Sequence, residues 1–272
     1  MNIIVNTSFE NALKIKDKDI IDLLDSNSIT RIATNRIFNN KFEVCYYYYK
    51  YTYYLGDSLD SYLRDLENFI KRNNIMQNTT IVLTFMYFKN YIENEKNILN
   101  YIDSVAVLSR KLKICTIFEP NYTVNASFYS ILLKKRSNLK VFLNLRQLYK
   151  HDLSITTYYR LFKPFISTIE VCDIEDGKRP ALLGYGIFDL VNFFKNLLKD
   201  GYKGDIIYFC NVYSLFKELN TSKFIQIFNT KKRDNIYLTT CRVVSEGENK
   251  KISFSQLFSN QIDVLKIMTR HL

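Results

Sequence analysis

Acidic and basic side chains crowd one short stretch of this chain: Asp173, Glu175, Asp176, Lys178 and Arg179. A smaller polar group, Arg146, Lys150 and His151, precedes it. Carboxylates at such density can trade protons with a substrate. Guanidinium groups beside them can clamp phosphate or carboxylate in a two-pronged way. The plain alternative is a solvated loop. Other reactive residue types are sparse. The chain has 2 histidines, His151 and His271, too few for a histidine-rich metal cluster. Its 5 cysteines, Cys45, Cys115, Cys172, Cys210 and Cys241, are far apart, and no Cys-x-x-Cys pair occurs. Buried free thiols are therefore expected, rather than a zinc site or a disulfide framework. Tyr46 to Tyr49, with Tyr51, Tyr53 and Tyr54, form a run of rings that could stack sugars or bases. Tyrosine is also a common strand residue, and packing is the expectation.

Such residues act only if the chain positions them. With 272 residues, 47% of them hydrophobic and 24% charged, it can build a substantial core. No apolar run is long enough to span a membrane, and the start lacks the pattern of a secretory signal, so a cytosolic protein is expected. Short runs rich in Val, Ile, Phe, Tyr and Thr lie near 2–6, 29–34, 43–49, 79–86, 114–119, 140–145, 166–174 and 205–210. Helical spacing marks 58–73 (Leu59, Leu63, Leu66, Phe69, Ile70), 92–112 (Ile98, Ile102, Val105, Leu108) and 187–200, which stops at Gly201. Alternation of this kind predicts an α/β fold, a closed (β/α)₈ TIM barrel. The barrel is expected over residues 1–230. Residues 231–272 then form an extension packed on it: a β-hairpin (236–244 and 252–257) and a helix near 260–271.

The stretch from Ile169 to Cys210, IEVCDIEDGKRPALLGYGIFDLVNFFKNLLKDGYKGDIIYFC, resembles the last two βα units of the sugar-phosphate isomerase and epimerase family. These xylose-isomerase-like TIM barrels share a superfamily with endonuclease IV. In that family a strand carries His and then an acidic residue three places on. A Gly-containing loop, Ile-Asp, an amphipathic helix and a Gly-Tyr-Asp-Gly turn follow, and the closing strand ends in Glu. Leu183, Gly184, Tyr185 and Gly186 match the loop, Ile187 and Asp189 follow, and Gly201 to Gly204 match the turn. Upstream, ICTIFEP (Ile114 to Pro120) resembles the strand ending in a metal-binding Glu.

The resemblance implies a divalent metal at the barrel mouth, polarising a hydroxy-ketone while carboxylates move a proton between adjacent carbons. Glu119 matches the first ligand. Asn144 or Arg146, depending on register, stands at the second. The third, a His, aligns with Asp173, with Asp176 three residues on. The closing Glu aligns with Phe209. With most of the set changed, no cofactor is expected; a hard ion such as Mg²⁺ or Mn²⁺ on Glu119, Asp173 and Asn144 is the competing reading. The histidine-rich endonuclease site has no counterpart.

The resulting expectation is an isomerase- or epimerase-like barrel that binds or isomerises an anionic, sugar-phosphate-like small molecule without the metal. Glu119 and Asp173 are its candidate general bases, and Arg146, Lys178, Arg179 and His151 its candidate anion contacts. The alternative is a non-catalytic scaffold that works through its surface and C-terminal extension, with a protein partner or a second copy. A net charge of +11 admits nucleic acid. However, basic runs such as Lys134–Arg136 and Lys231–Arg233 are scattered and lack interleaved aromatics, so that partner ranks last.

Overall fold

Runs of branched and aromatic residues bounded by polar ones become parallel strands here, and the stripes of apolar residues between them become helices that cover the strands. The computed structural model describes residues 3–7, 17–35, 42–49, 51–54, 57–75, 77, 79–84, 95–123, 126–136, 139–175, 179–210 and 254–270. Its strands are β1 (Ile3–Asn6), β2 (Arg31–Thr34), β3 (Glu43–Tyr49), β4 (Thr80–Thr84), β5 (Cys115–Glu119), β6 (Val141–Asn144), β7 (Ile166–Val171), β8 (Asp173–Glu175), β9 (Arg179–Ala181) and β10 (Asp205–Phe209). The helices are α1 (Asp17–Ser26), α2 (Leu59–Arg72), α3 (Glu95–Leu112), α4 (Ala126–Lys135), α5 (Leu145–Lys150), α6 (Ile155–Phe162), α7 (Leu190–Lys199) and α8 (Phe254–Thr269).

Eight strands close into a barrel in the order β1-β10-β7-β6-β5-β4-β3-β2, with β1 parallel to both β10 and β2. This is the expected (β/α)₈ barrel. A short antiparallel pair, β8 and β9, stands apart from it, following β7.

Two apolar layers hold the fold. The inner one fills the barrel with Ile4, Ala33, Cys45, Tyr46, Val82, Ile117, Phe142 and Ile207. The outer one joins the backs of the strands to the helices. α2 shows how the sequence selects its face: Tyr62, Leu66 and Ile70 recur at helical spacing and are buried. Ser58 caps its start by accepting a hydrogen bond from the Ser61 amide, and Lys71 and Arg72 sit in its last turn, where the helix dipole favours cations.

At the strand starts, polar groups close the lower end of the barrel. The Tyr46 hydroxyl donates to Asp205 Oδ2 at 2.6 Å and lies 3.0 Å from the Thr168 hydroxyl. Arg31 approaches the other Asp205 oxygen at 3.5 Å.

The C-terminal segment departs from expectation. α8 begins at Phe254, where a strand over 252–257 was predicted, so the helix starts before the expected 260. The reason is periodic: Leu257, Phe258, Gln261, Ile262 and Leu265 fall on one buried stripe. The predicted hairpin strand 236–244 and the boundary near 230 lie outside the described residues. The described cysteines, Cys45, Cys115, Cys172 and Cys210, are free. No helix among the described residues is long and apolar enough to cross a membrane.

Candidate functional site

Alternation along each strand decides which side chains enter the barrel. Stepping by two from the inner apolar layer leads from Ile4 to Asn6, Tyr46 to Tyr48, Ile117 to Glu119, Phe142 to Asn144, Thr168 to Glu170 and Ile207 to Phe209. These residues form a ring at the carboxyl ends of the strands, the end where TIM barrels build their sites. Contacts within the ring bear this out. Asn6 Nδ2 donates to Glu170 Oε2 at 2.7 Å, and the Tyr48 hydroxyl donates to the same oxygen at 2.5 Å. The Tyr48 ring packs edge-on against Phe142, with centroids 5.8 Å apart.

Asn144 has two tasks. Its Oδ1 accepts a hydrogen bond from the Gln147 amide at 3.2 Å and so caps α5. With the oxygen so engaged, the amide nitrogen is left to serve the carboxylates of Glu119 and Glu170. Two residues on, in the first turn of α5, Arg146 lays its guanidinium over the Phe209 ring, 4.1 Å from the centroid. The side chain remains exposed at the mouth. Arg146 thus projects from α5, and Asn144 is the residue at the strand end.

Electrostatics separates the two acids. Burial, and then the neighbouring Glu170, push Glu119 up to about 8, while Arg146 and Asn144 pull it back. Burial also raises Glu170, but Tyr48, Arg146, Asn6 and Asn144 all favour its ionised form. Burial thus favours the protonated form of Glu119, while the donors around Glu170 oppose the same effect there, with the Arg146 guanidinium at hand. The next inward residue, Cys172, is held protonated by burial.

The largest departure from the sequence expectation concerns Asp173. Its carboxylate is enclosed by backbone: the amides of Ile174 and Gly184 donate at 2.9 Å, Gly186 at 3.0 Å and Phe188 at 3.4 Å. A Cβ on Gly186 would fall 2.0 Å from Asp173 Oδ1, so only glycine fits there. Burial raises Asp173 to about 6 against the pull of these amides. The physical reason is parity. Thr168, Glu170 and Cys172 lie on one side of the strand, and Ile169, Val171 and Asp173 on the other. In this stretch Glu170 therefore enters the ring, and Asp173, three places on, does not. Thr168 and Glu170, polar between apolar Ile169 and Val171, were the signal that could have found this, and Asn6 and Tyr48 follow from the same alternation.

The other expected contacts scatter. His151 caps the end of α5 and stacks near Tyr122, with ring centroids 6.4 Å apart. The Tyr122 hydroxyl in turn accepts the Asn144 amide at 2.9 Å, which places His151 behind the ring. Arg179 opens β9 opposite Glu175. Lys178 and Asp176 lie outside the described residues. A cleft of about 990 Å³ sits at the opposite end of the barrel, bordered by Thr80, Cys115, Ile166 and Asp205, and contains no ring residue.

Four positions of the ring hold Glu119, Asn144, Glu170 and Phe209, and a guanidinium lies against the last. No group of three or more His, Cys, Asp or Glu suited to an ion converges among the described residues.

No family model matches this chain, and no curated protein does. Solved structures do. A probable 3-DHS dehydratase, AsbF, from Bacillus anthracis aligns with a TM-score of 0.63 at 11% identity, covering 98% of this chain and 99% of that one. An L-ribulose 3-epimerase aligns with a TM-score of 0.62 at 9% identity over 99% and 95% of the two chains. The IOLI protein, solved with a bound zinc atom, aligns with a TM-score of 0.59 at 12% identity over 92% and 100%. The chain therefore shares the barrel fold of these proteins.

Proposed function

We propose that this barrel shifts a proton between adjacent carbons of a small hydroxy-carbonyl compound of the sugar or sugar-phosphate class, without a metal. The carrying observation is the pair Glu119 and Glu170, two neighbouring acids with different partners at one barrel mouth, with the Arg146 guanidinium beside them. The ionised Glu170 removes the proton from the carbon next to the carbonyl. The electron pair moves to the carbonyl oxygen, which takes the proton of Glu119 while Arg146 stabilises the developing negative charge. Return of a proton to the neighbouring carbon, or to the other face of the same carbon, completes isomerisation or epimerisation with no net loss of atoms. Arg146, exposed at the mouth, is also the group that would hold a phosphate or carboxylate. The L-ribulose 3-epimerase among the structural neighbours supports a sugar substrate, and the altered ring positions support a mechanism different from one built on a metal.

The test is deuterium exchange. The protein, treated with chelator, is incubated in D₂O with ketoses, aldoses and their phosphates, and the protons next to the carbonyl are followed by NMR. Exchange that disappears in both Glu119→Gln and Glu170→Gln supports the proposal. No exchange with any member, or exchange unaffected by both substitutions, overturns it.

A further inference from the structure

A second concavity opens beside the mouth, between the end of β3 and α2. It has a volume of about 840 Å³ and is lined in part by Tyr48, the residue whose hydroxyl holds Glu170. That size suits a small organic ligand. The floor is aromatic: Tyr49 and Phe69 pack with centroids 5.0 Å apart, and Tyr51 meets Tyr49 edge-on at 5.5 Å. Tyr51 is 55% exposed. The Tyr49 hydroxyl is buried without a hydrogen-bond partner.

The wall is polar. Ser61, Asp65, Asn68 and Arg72 recur at helical spacing along α2, on the stripe beside the one that buries Tyr62, Leu66 and Ile70. All four are exposed. Among the described residues none of these side chains makes a hydrogen bond or an ion pair. They supply donors and acceptors together, as the hydroxyls of a sugar require, above rings that can meet its C–H face. Charge selects among ligands: Asp57 and Asp65 against Arg72 leave the groove slightly acidic, which disfavours a phosphate or nucleotide.

We infer that this groove is a subsite for a second, uncharged sugar ring, so that the substrate of the mouth is a glycoside or disaccharide rather than a bare monosaccharide. The inference rests on the proton-transfer reading of the mouth and adds the substrate class. Tyr51 and Asp65 are the residues that would set this preference; Tyr48 joins the two halves.

The experiment separates this inference from the reading it rests on. Binding of glucose, maltose, cellobiose and uridine monophosphate to the whole chain is measured by calorimetry, in the unaltered protein and in Tyr51→Ala, Asp65→Ala and Glu119→Gln. At least one disaccharide is expected to bind about tenfold more tightly than glucose, and each groove substitution to remove about that factor. Glu119→Gln should leave the preference in place, and both groove variants should unfold at the unaltered temperature. A disaccharide preference that persists while deuterium exchange fails would retain the groove and discard the reaction. Exchange with equal binding of glucose and both disaccharides would discard the groove alone. Tighter binding of uridine monophosphate, or indifference to both groove substitutions, would also overturn it.

Discussion

Glu170 and Asp173 lie three residues apart and both are buried, yet the chain treats them in opposite ways. Glu170 faces the barrel and is held by side chains, Tyr48 and Asn6, with Arg146 and Glu119 near it. Asp173 faces away and is wrapped by backbone amides of the 184–188 loop. A carboxylate held by side chains, whose rotamers can shift, can exchange protons with a guest. One enclosed by amides has its lone pairs committed to shape. Equal burial thus says little about role; the kind of donor and the direction of the strand face say more.

The sharpest way to break this contrast is to exchange the expected phenotypes. Glu170→Gln should reduce proton exchange by about 10²–10⁴-fold with little change in unfolding, read by NMR exchange and urea melts. If it unfolds the protein and spares exchange, the roles are reversed. Asp173→Ala should do the opposite. It strands several buried amides and should cost about 3–5 kcal/mol of stability, measured by chemical denaturation. Gly186→Ala should reproduce most of that loss, because the added methyl collides with the Asp173 carboxylate.

A pH series sharpens the other half. Glu119 has its folded value raised to about 8. Its contribution to stability is therefore fully present below the ordinary carboxylate value and is lost as pH rises through about 8. Glu119→Gln should flatten that decline in denaturation midpoints between pH 5 and 9. Exchange should fall over the same upper range as the acid loses its proton. Smallest is Gln261→Ala. It removes the acceptor for the Leu183 amide, a bond of 2.6 Å from α8 to the loop around Asp173, and should cost about 1–3 kcal/mol in thermal melts.

The barrel was legible because its strands are short and locally consistent. β3 runs from Glu43 to Tyr49, the span its Tyr and Val content marks, and the other barrel strands fall within a few residues of expectation. Glu119 and Asn144 came into view only through the resemblance, which matches them to strand ends, and they do end β5 and β6. Glu170 was missed because its run, Ile166 to Glu175, continues past the point where β7 ends at Val171, and the acidic residues beyond drew the motif toward them. The cradle of Asp173 depends on a loop folding back across the chain, which no local pattern encodes. α8 was misplaced at its start because Phe254 and Leu257 suit a strand as well as a helix, and only packing against the barrel, with Phe258 near Tyr208, decides.

The guanidinium resting on Phe209 is tethered through its own stem to the backbone. A charge installed this way is made on the ribosome with the rest of the chain. It draws on no pool of ions, competes with no other protein for supply and survives a scavenger in the surroundings.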